Sequence, residues 1–176
     1  MTPPPCKENP TPQVSLPLQT SPLSQCIVEI VKNPQKKTRL LIVEDSDVMR
    51  QRLLDIVAEV EGISVVGTAE SPGGSIRAIR ELKPDVVILD IRLKKGSGLE
   101  VLEEIKKRGL KTTVIVCTNY PYSEYRRRCR ELGVKYFMEK ATGFEKIPRV
   151  LKEIMSVVVK HEKSDPLSIM KRKKVA

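Results

Sequence analysis

The chain contains no tryptophan, and phenylalanine and tyrosine together make up 3% of its 176 residues. Any core must therefore be aliphatic. Its four cysteines, Cys6, Cys26, Cys117 and Cys129, show no CxxC spacing, which argues against a zinc site or a disulfide framework. Cys117 sits in an apolar run and reads as a small buried hydrophobe. No apolar stretch approaches the roughly 18 residues that a membrane helix needs. The opening residues, Met1-Thr2-Pro3-Pro4-Pro5, lack the basic-then-apolar pattern of a signal peptide, so the expected location is cytoplasmic, with no membrane insertion. No internal repeat is visible. A single histidine, His161, is present, and no kinase-type ATP site accompanies it.

Hydrophobic residues form 40% of the chain, ordinary for a globular protein, and the net charge is +10. The charge is uneven. Residues 160–176 carry six Lys/Arg against two Asp/Glu, and end in the run Lys171-Arg172-Lys173-Lys174. Residues 1–37 hold eight of the thirteen prolines, mixed with Ser, Thr and Gln, and read as a disordered Pro-rich leader. Within it Gln25–Val31 could form a short strand or docking segment. The expected organisation is a leader at 1–37, one domain at 38–160 and a basic tail at 161–176.

Within the domain, short Val/Ile/Leu runs alternate five times with helix-patterned segments. Strands are expected at about 39–43, 63–67, 85–89, 113–117 and 134–138. The first helix, about 47–60, places Val48, Leu53, Ile56, Val57 and Val60 near one face. The second opens on Ser71-Pro72, an N-cap with proline at the first helical position. The third, about 98–108, carries Leu99, Leu102 and Ile105 at core spacing, and the fourth runs over about 121–132. Thr142-Gly143-Phe144-Glu145 fits a capping box for the fifth, about 143–159, with Pro148 near its first turn. The pattern implies an α/β fold: a doubly wound, five-stranded parallel sheet with helices on both faces.

Four of these runs end on polar groups. They lead into Glu44-Asp45, Asp90, Thr118 and Lys140. In an open parallel sheet the functional residues lie just beyond the carboxyl ends of the strands. Three carboxylates, a hydroxyl and an ammonium would thus meet at one rim. Carboxylates suit Mg²⁺, while a hydroxyl and a lysine suit phosphoryl oxygens. The combination points to phosphoryl chemistry on an aspartate.

These residues, together with Leu89-Asp90-Ile91-Arg92-Leu93 and Gly96-Ser97-Gly98-Leu99, resemble the receiver domain of two-component response regulators over about 38–160. The resemblance implies a flavodoxin-like (βα)5 fold with strand order 2-1-3-4-5. It implies Asp90 as phosphoacceptor, Mg²⁺ held by Asp45, Asp90, Glu44 and the Arg92 main-chain carbonyl, and Thr118 and Lys140 on the phosphoryl group. Phe137 falls at the family's switch aromatic, paired in that role with Thr118. The phosphodonor would be a separate histidine kinase or phosphotransfer protein. The output would be a downstream protein, with a homodimer through the fourth helix, fifth strand and fifth helix as a further expectation. The implied role is a signalling switch rather than an enzyme, beyond its own phosphorylation and dephosphorylation. Family members often carry proline after the lysine, whereas this chain has Ala141. Arg92 and Tyr120 flank the site, and as a large cation and an aromatic they are expected to slow self-dephosphorylation. The fourth helix is unusually basic, Arg126-Arg127-Arg128-Cys129-Arg130.

Two other readings exist. Asp45-Ser46-Asp47-Val48 fits the Asp-x-Asp-x-Val motif of haloacid dehalogenase-type hydrolases, with Asp45 as nucleophile, but leaves Asp90 without a role. The basic tail could serve a DNA-binding regulator, but nothing like a helix-turn-helix follows Lys140, so nucleic acid is not an expected partner.

Overall fold

The computed structural model describes residues 37–164, so the expected leader and most of the expected tail lie outside the described residues. Five strands are found: β1 (Thr38–Val43), β2 (Ile63–Ala69), β3 (Val86–Leu89), β4 (Thr113–Thr118) and β5 (Tyr136–Glu139). They alternate with α1 (Asp47–Ala58), α2 (Pro72–Leu82), α3 (Gly98–Lys107), α4 (Ser123–Glu131) and α5 (Ile147–Ser164). All pairings in the sheet are parallel, and the order is β2-β1-β3-β4-β5, as expected.

Alternation along the strands sorts the apolar side chains into two cores. Leu40, Ile42, Val86, Ile88, Ile115 and Cys117 face one way, against Leu53 and Val57 of α1 and Leu151 and Ile154 of α5. Leu41, Val43, Val87, Leu89, Val114 and Val116 face the other way, against Ile79 of α2, Val101 and Leu102 of α3, and Cys129 of α4. Burial on both faces is why the central strands read as unbroken apolar runs rather than alternating ones. Each such Leu or Ile contributes roughly 1.5–3 kcal/mol relative to an exposed side chain.

Several local expectations need correction. Val48 is 74% exposed, because it shares the solvent face of α1 with Arg52 and Asp55, four and seven residues on, whereas its neighbour Met49 packs against the core. No capping box forms at Thr142: the chain is already helical over Lys140–Gly143 and passes through a 3-10 turn, Phe144–Lys146, into α5. Thr142 therefore never takes the extended conformation that an N-cap needs. Gly143 allows this compact turn, since a Cβ there would lie 2.8 Å from that of Met138. The same Ser/Thr-x-x-Glu pattern does cap α3. Ser97 Oγ accepts from the Leu99 N–H at 3.2 Å, and the Ser97 N–H donates to Glu100 at 2.8 Å. Before that cap, Arg92–Leu93 pairs antiparallel with Gly96–Ser97 as a small ribbon that the periodicity does not announce. The fifth helix continues past the expected 159 to Ser164, the last described residue. Ser71 caps α2 with Pro72 at its start, as expected.

Strand register sets the rim. Val43 pairs with Leu89 and Leu89 with Val116, so Glu44 and Asp90 leave the sheet side by side. Thr118 pairs with Glu139, which brings Lys140 to the same edge. Gly98 closes the loop after Asp90. A Cβ there would lie 2.1 Å from the Asp90 carbonyl oxygen. Gly98→Ala should therefore destabilise the fold by about 1–3 kcal/mol. Gly73→Ala, where a Cβ meets nothing within 4 Å, should instead be neutral or stabilising. Urea unfolding of the two variants checks the contrast.

Candidate functional site

Main-chain bonds fix the acidic residues first. The Asp90 N–H donates to Val43 O at 3.0 Å, and the Glu44 N–H donates to Ala69 O at 2.9 Å. The ladder thus runs one residue past each strand and delivers both side chains to one spot. There the Lys140 ammonium donates to Glu44 Oε2 at 2.5 Å and to Asp90 Oδ2 at 2.6 Å. The three side chains are 3%, 1% and 7% exposed, so this is a buried, charged triad. The other Asp90 oxygen accepts the Arg92 N–H at 3.2 Å, and Glu44 Oε1 accepts that of Ser46 at 3.3 Å.

Asp45 is held separately. Its Oδ2 accepts the Lys94 N–H at 2.8 Å, and Lys94 Nζ donates to the Asp45 carbonyl at 3.1 Å. Arg50 donates to the Glu44 carbonyl at 3.0 Å and bridges to Asp47 and Glu70. A cavity of about 340 Å³ opens over these groups, lined by Glu44, Asp45, Ser46, Met49, Asp90, Arg92, Leu93, Lys94, Asn119, Tyr120 and Lys140.

Burial pushes the Glu44 carboxyl above its ordinary 4.5, despite the opposing hydrogen bond and charge of Lys140. Burial also pushes the Lys140 ammonium down, but its hydrogen bonds and charge pairing with Asp90 and Glu44 outweigh that, and it ends above its ordinary 10.5. Cys117 beneath the site is pushed up to about 12 by burial, so it stays a neutral thiol.

Glu44, Asp45 and Asp90 each offer a carboxylate oxygen, all within 4.8 Å of one another. The set is all oxygen, without imidazole or thiolate, which fits a hard divalent cation such as Mg²⁺.

The structure thus brings together Glu44, Asp45, Asp90, Lys140 and Arg92. Thr118 and Phe137 do not line the cavity. Thr118 is fully buried at the end of β4, where its hydroxyl accepts the Tyr120 N–H at 3.3 Å. Phe137 is half-buried toward α4, with the Arg126 guanidinium 4.5 Å from its ring centroid. Arg92 lies 4.2 Å over the Tyr120 ring, so these two flanking side chains form one stacked unit beside the cavity. The peptide bond from Lys140 to Ala141 is trans. All six aromatic residues of the chain fall between Tyr120 and Phe144. Tyr120, Tyr122 and Tyr125 form a row with ring centroids 6.0 and 5.9 Å apart. Sequence reasoning missed Lys94 and Arg50. Arg50 stands three residues after Asp47, a helical pairing signal, whereas Lys94 acts largely through a loop N–H that no side-chain pattern reveals.

An acidic trio and a buried lysine at the carboxyl rim of a flavodoxin-like sheet define the class. Residues 40–152 match the response regulator receiver domain model, and the chain belongs to that family. It is 28% identical to the response regulator GacA of Pseudomonas aeruginosa over 118 residues, which is 67% of this chain and 55% of that protein. It is 31% identical to the virulence regulator BvgA of Bordetella pertussis over 67% of this chain and 56% of the relative. The chain therefore spans a little over half the length of these curated relatives. Among solved structures, the N-terminal domain of a Wolinella succinogenes protein superposes with a TM-score of 0.64 at 31% identity, over 70% of this chain and 98% of that one. A receiver domain from a Vibrio parahaemolyticus Luxo repressor protein shares the fold, with a TM-score of 0.66 at 24% identity over 73% of this chain and 98% of that one. Among the described residues, no helix is long and apolar enough to cross a membrane.

Removing the central cation tests the electrostatics. Lys140→Met should cost about 3–5 kcal/mol at pH 8, because it leaves adjacent buried carboxylates uncompensated. A carboxyl raised in the folded state favours folding below its unfolded value, and that preference is lost as pH rises through the folded value. Glu44 is already raised above 4.5, and losing Lys140 raises it further. The stability gap between variant and wild type should thus narrow as pH falls from 8 toward 5, as read by urea midpoints. A gap that stays constant would contradict this account.

Proposed function

We propose that this chain is a phosphoacceptor switch, and that Asp90 takes a phosphoryl group from a histidine kinase or a histidine phosphotransfer protein. The observation that carries this reading is the buried Lys140 ammonium shared by Asp90 and Glu44, beside a third carboxylate and an open cavity. An Asp90 carboxylate oxygen attacks phosphorus. A P–O bond forms, and the bond to the donor breaks with its electron pair leaving on the donor. A carboxylate is a weak nucleophile and needs its substrate positioned and its charge compensated. Mg²⁺ held by Asp45, Asp90 and Glu44, with the Arg92 main-chain carbonyl, would supply compensating charge. Lys140 is placed to keep one positive charge against the new phosphoryl oxygens. The Thr118 hydroxyl accepts from Tyr120 and keeps its own proton for donation to a phosphoryl oxygen.

Downstream, Thr118 and Phe137 carry the change to the α4–β5–α5 face. There the protein controls a partner or a second copy of itself, and it works in the cytoplasm. Asp45 as a hydrolase nucleophile fits less well. Lys140 bonds Glu44 and Asp90, and Asp45 has its carboxylate engaged by Lys94.

With Mg²⁺ and acetyl phosphate, intact mass should show one added phosphoryl group, absent in Asp90→Asn and formed far more slowly in Asp45→Asn. An adduct that survives Asp90→Asn would overturn the assignment. The stacked Arg92 and Tyr120 side chains should shield the acyl phosphate from water. Replacing both with alanine should shorten its half-life severalfold, measured by the decay of the same mass adduct.

A further inference from the structure

Asp45 differs from the other two carboxylates of the site. Glu44 and Asp90 are buried and share Lys140, whereas Asp45 is only half-buried, on the short link between β1 and α1. Among the described residues, the donors that reach it come from Lys94 alone. The Lys94 N–H bonds its Oδ2 at 2.8 Å, and the Lys94 ammonium bonds its main-chain carbonyl at 3.1 Å.

That N–H is rigidly placed. Lys94 sits in the turn of the ribbon that pairs Arg92 with Ser97 and Leu93 with Gly96. Leu93 is 7% exposed and anchors the turn in the second core. Gly96, at φ +114, brings the other side of the turn so close to α2 that a Cβ would lie 2.8 Å from Pro72. The loop is thus clamped from below and from the side, and its N–H fixes one carboxylate oxygen of Asp45. The other oxygen receives no hydrogen bond from the described residues. The ammonium meanwhile adds a positive charge beside Asp45, in a cavity whose wall already carries Lys140 and Arg92.

We propose that Lys94 is a positioning residue for the divalent cation, with two opposed effects: its main-chain N–H aims the Asp45 carboxylate, and its ammonium weakens cation binding to the acidic cluster. The proposal rests on reading Glu44, Asp45 and Asp90 as the cation's ligands. A residue that orients a ligand typically governs metal affinity by 10–100-fold. A neighbouring like charge acts through space and is screened by salt within about 10 Å at 0.1 M ionic strength.

Isothermal titration of the full chain with Mg²⁺ alone, at low ionic strength, separates the two effects. Lys94→Met keeps the N–H and removes the charge, and should tighten binding by roughly three- to tenfold. Lys94→Arg keeps both and should bind as the wild type does. Added NaCl should erase the difference between the Met and Arg variants, which a merely structural role would not do. Lys94→Pro has no N–H to donate and should bind roughly tenfold more weakly, with thermal unfolding checking that it folds. If it does not fold, Gly96→Ala, whose Cβ would press the turn away from Pro72, displaces the N–H in its place, and wild-type affinity in that variant overturns the N–H effect. A Lys94→Met protein that binds Mg²⁺ as the wild type does, or more weakly, overturns the charge effect, and a folded Lys94→Pro protein that binds as the wild type does overturns the N–H effect, each while leaving the ligand assignment standing. A wild type that binds no Mg²⁺ overturns both.

Discussion

The buried ammonium of Lys140 is the interaction on which the rest of the site depends. Taking a charge out of water costs several kcal/mol, recovered only when partners and hydrogen bonds are close to ideal. Here one cation, 3% exposed, serves two carboxylates from two other strands. Glu44 follows β1, Asp90 follows β3 and Lys140 follows β5, so a single ammonium ties together chain segments 50 and 96 residues apart. The arrangement also decides the chemistry available. Two adjacent buried carboxylates without a cation would repel one another. With Lys140 between them, the site carries negative charge that is already half compensated, and a further anion can approach it.

The sheet makes that geometry possible by being stiff. Its central strands are packed on both faces, and interiors of this density do not deform continuously. Side-chain parity is strict: even-numbered residues of β1 and β3 enter one core and odd-numbered residues the other. A single inserted residue in either strand would exchange the two cores and turn Glu44 or Asp90 away from Lys140. The loops around that rigid rim carry Arg92, Lys94 and Tyr120 to the cavity.

The parts legible in the sequence were those governed by this burial. Unbroken apolar runs marked the central strands, and the polar groups at their ends marked Glu44, Asp90 and Lys140, because a strand that stops at the rim must place its next residue there. Local motifs were less reliable, since the same pattern can have two outcomes. Ser97-Gly98-Leu99-Glu100 caps a helix because Ser97 arrives from an extended ribbon, with φ −126 and ψ 139. Thr142-Gly143-Phe144-Glu145 does not, because the chain has already turned helical at Lys140. Helical spacing, followed strictly, puts Val48 with Arg52 and Asp55 on the solvent face of the helix and Met49 with Leu53 and Val57 on the apolar one, so reading Val48 as a core residue counted hydrophobicity rather than position. The hold of Lys94 on Asp45 was invisible for a different reason: every residue but proline has an N–H, so the residue's identity says nothing about what that group will meet.

The confinement of all six aromatic residues to the stretch from Tyr120 to Phe144 has an optical consequence. Without tryptophan, tyrosine dominates the near-ultraviolet absorption, circular dichroism and fluorescence of the protein. Tyr120 stands on the wall of the cavity, and Tyr122 and Tyr125 continue from it onto α4. The first two-thirds of the chain, including β1 to β3 and α1 to α3, contributes no aromatic signal. Intrinsic emission is thus a built-in local probe: a spectral change reports events between the cavity and the α4–β5 side of the molecule, with no label attached.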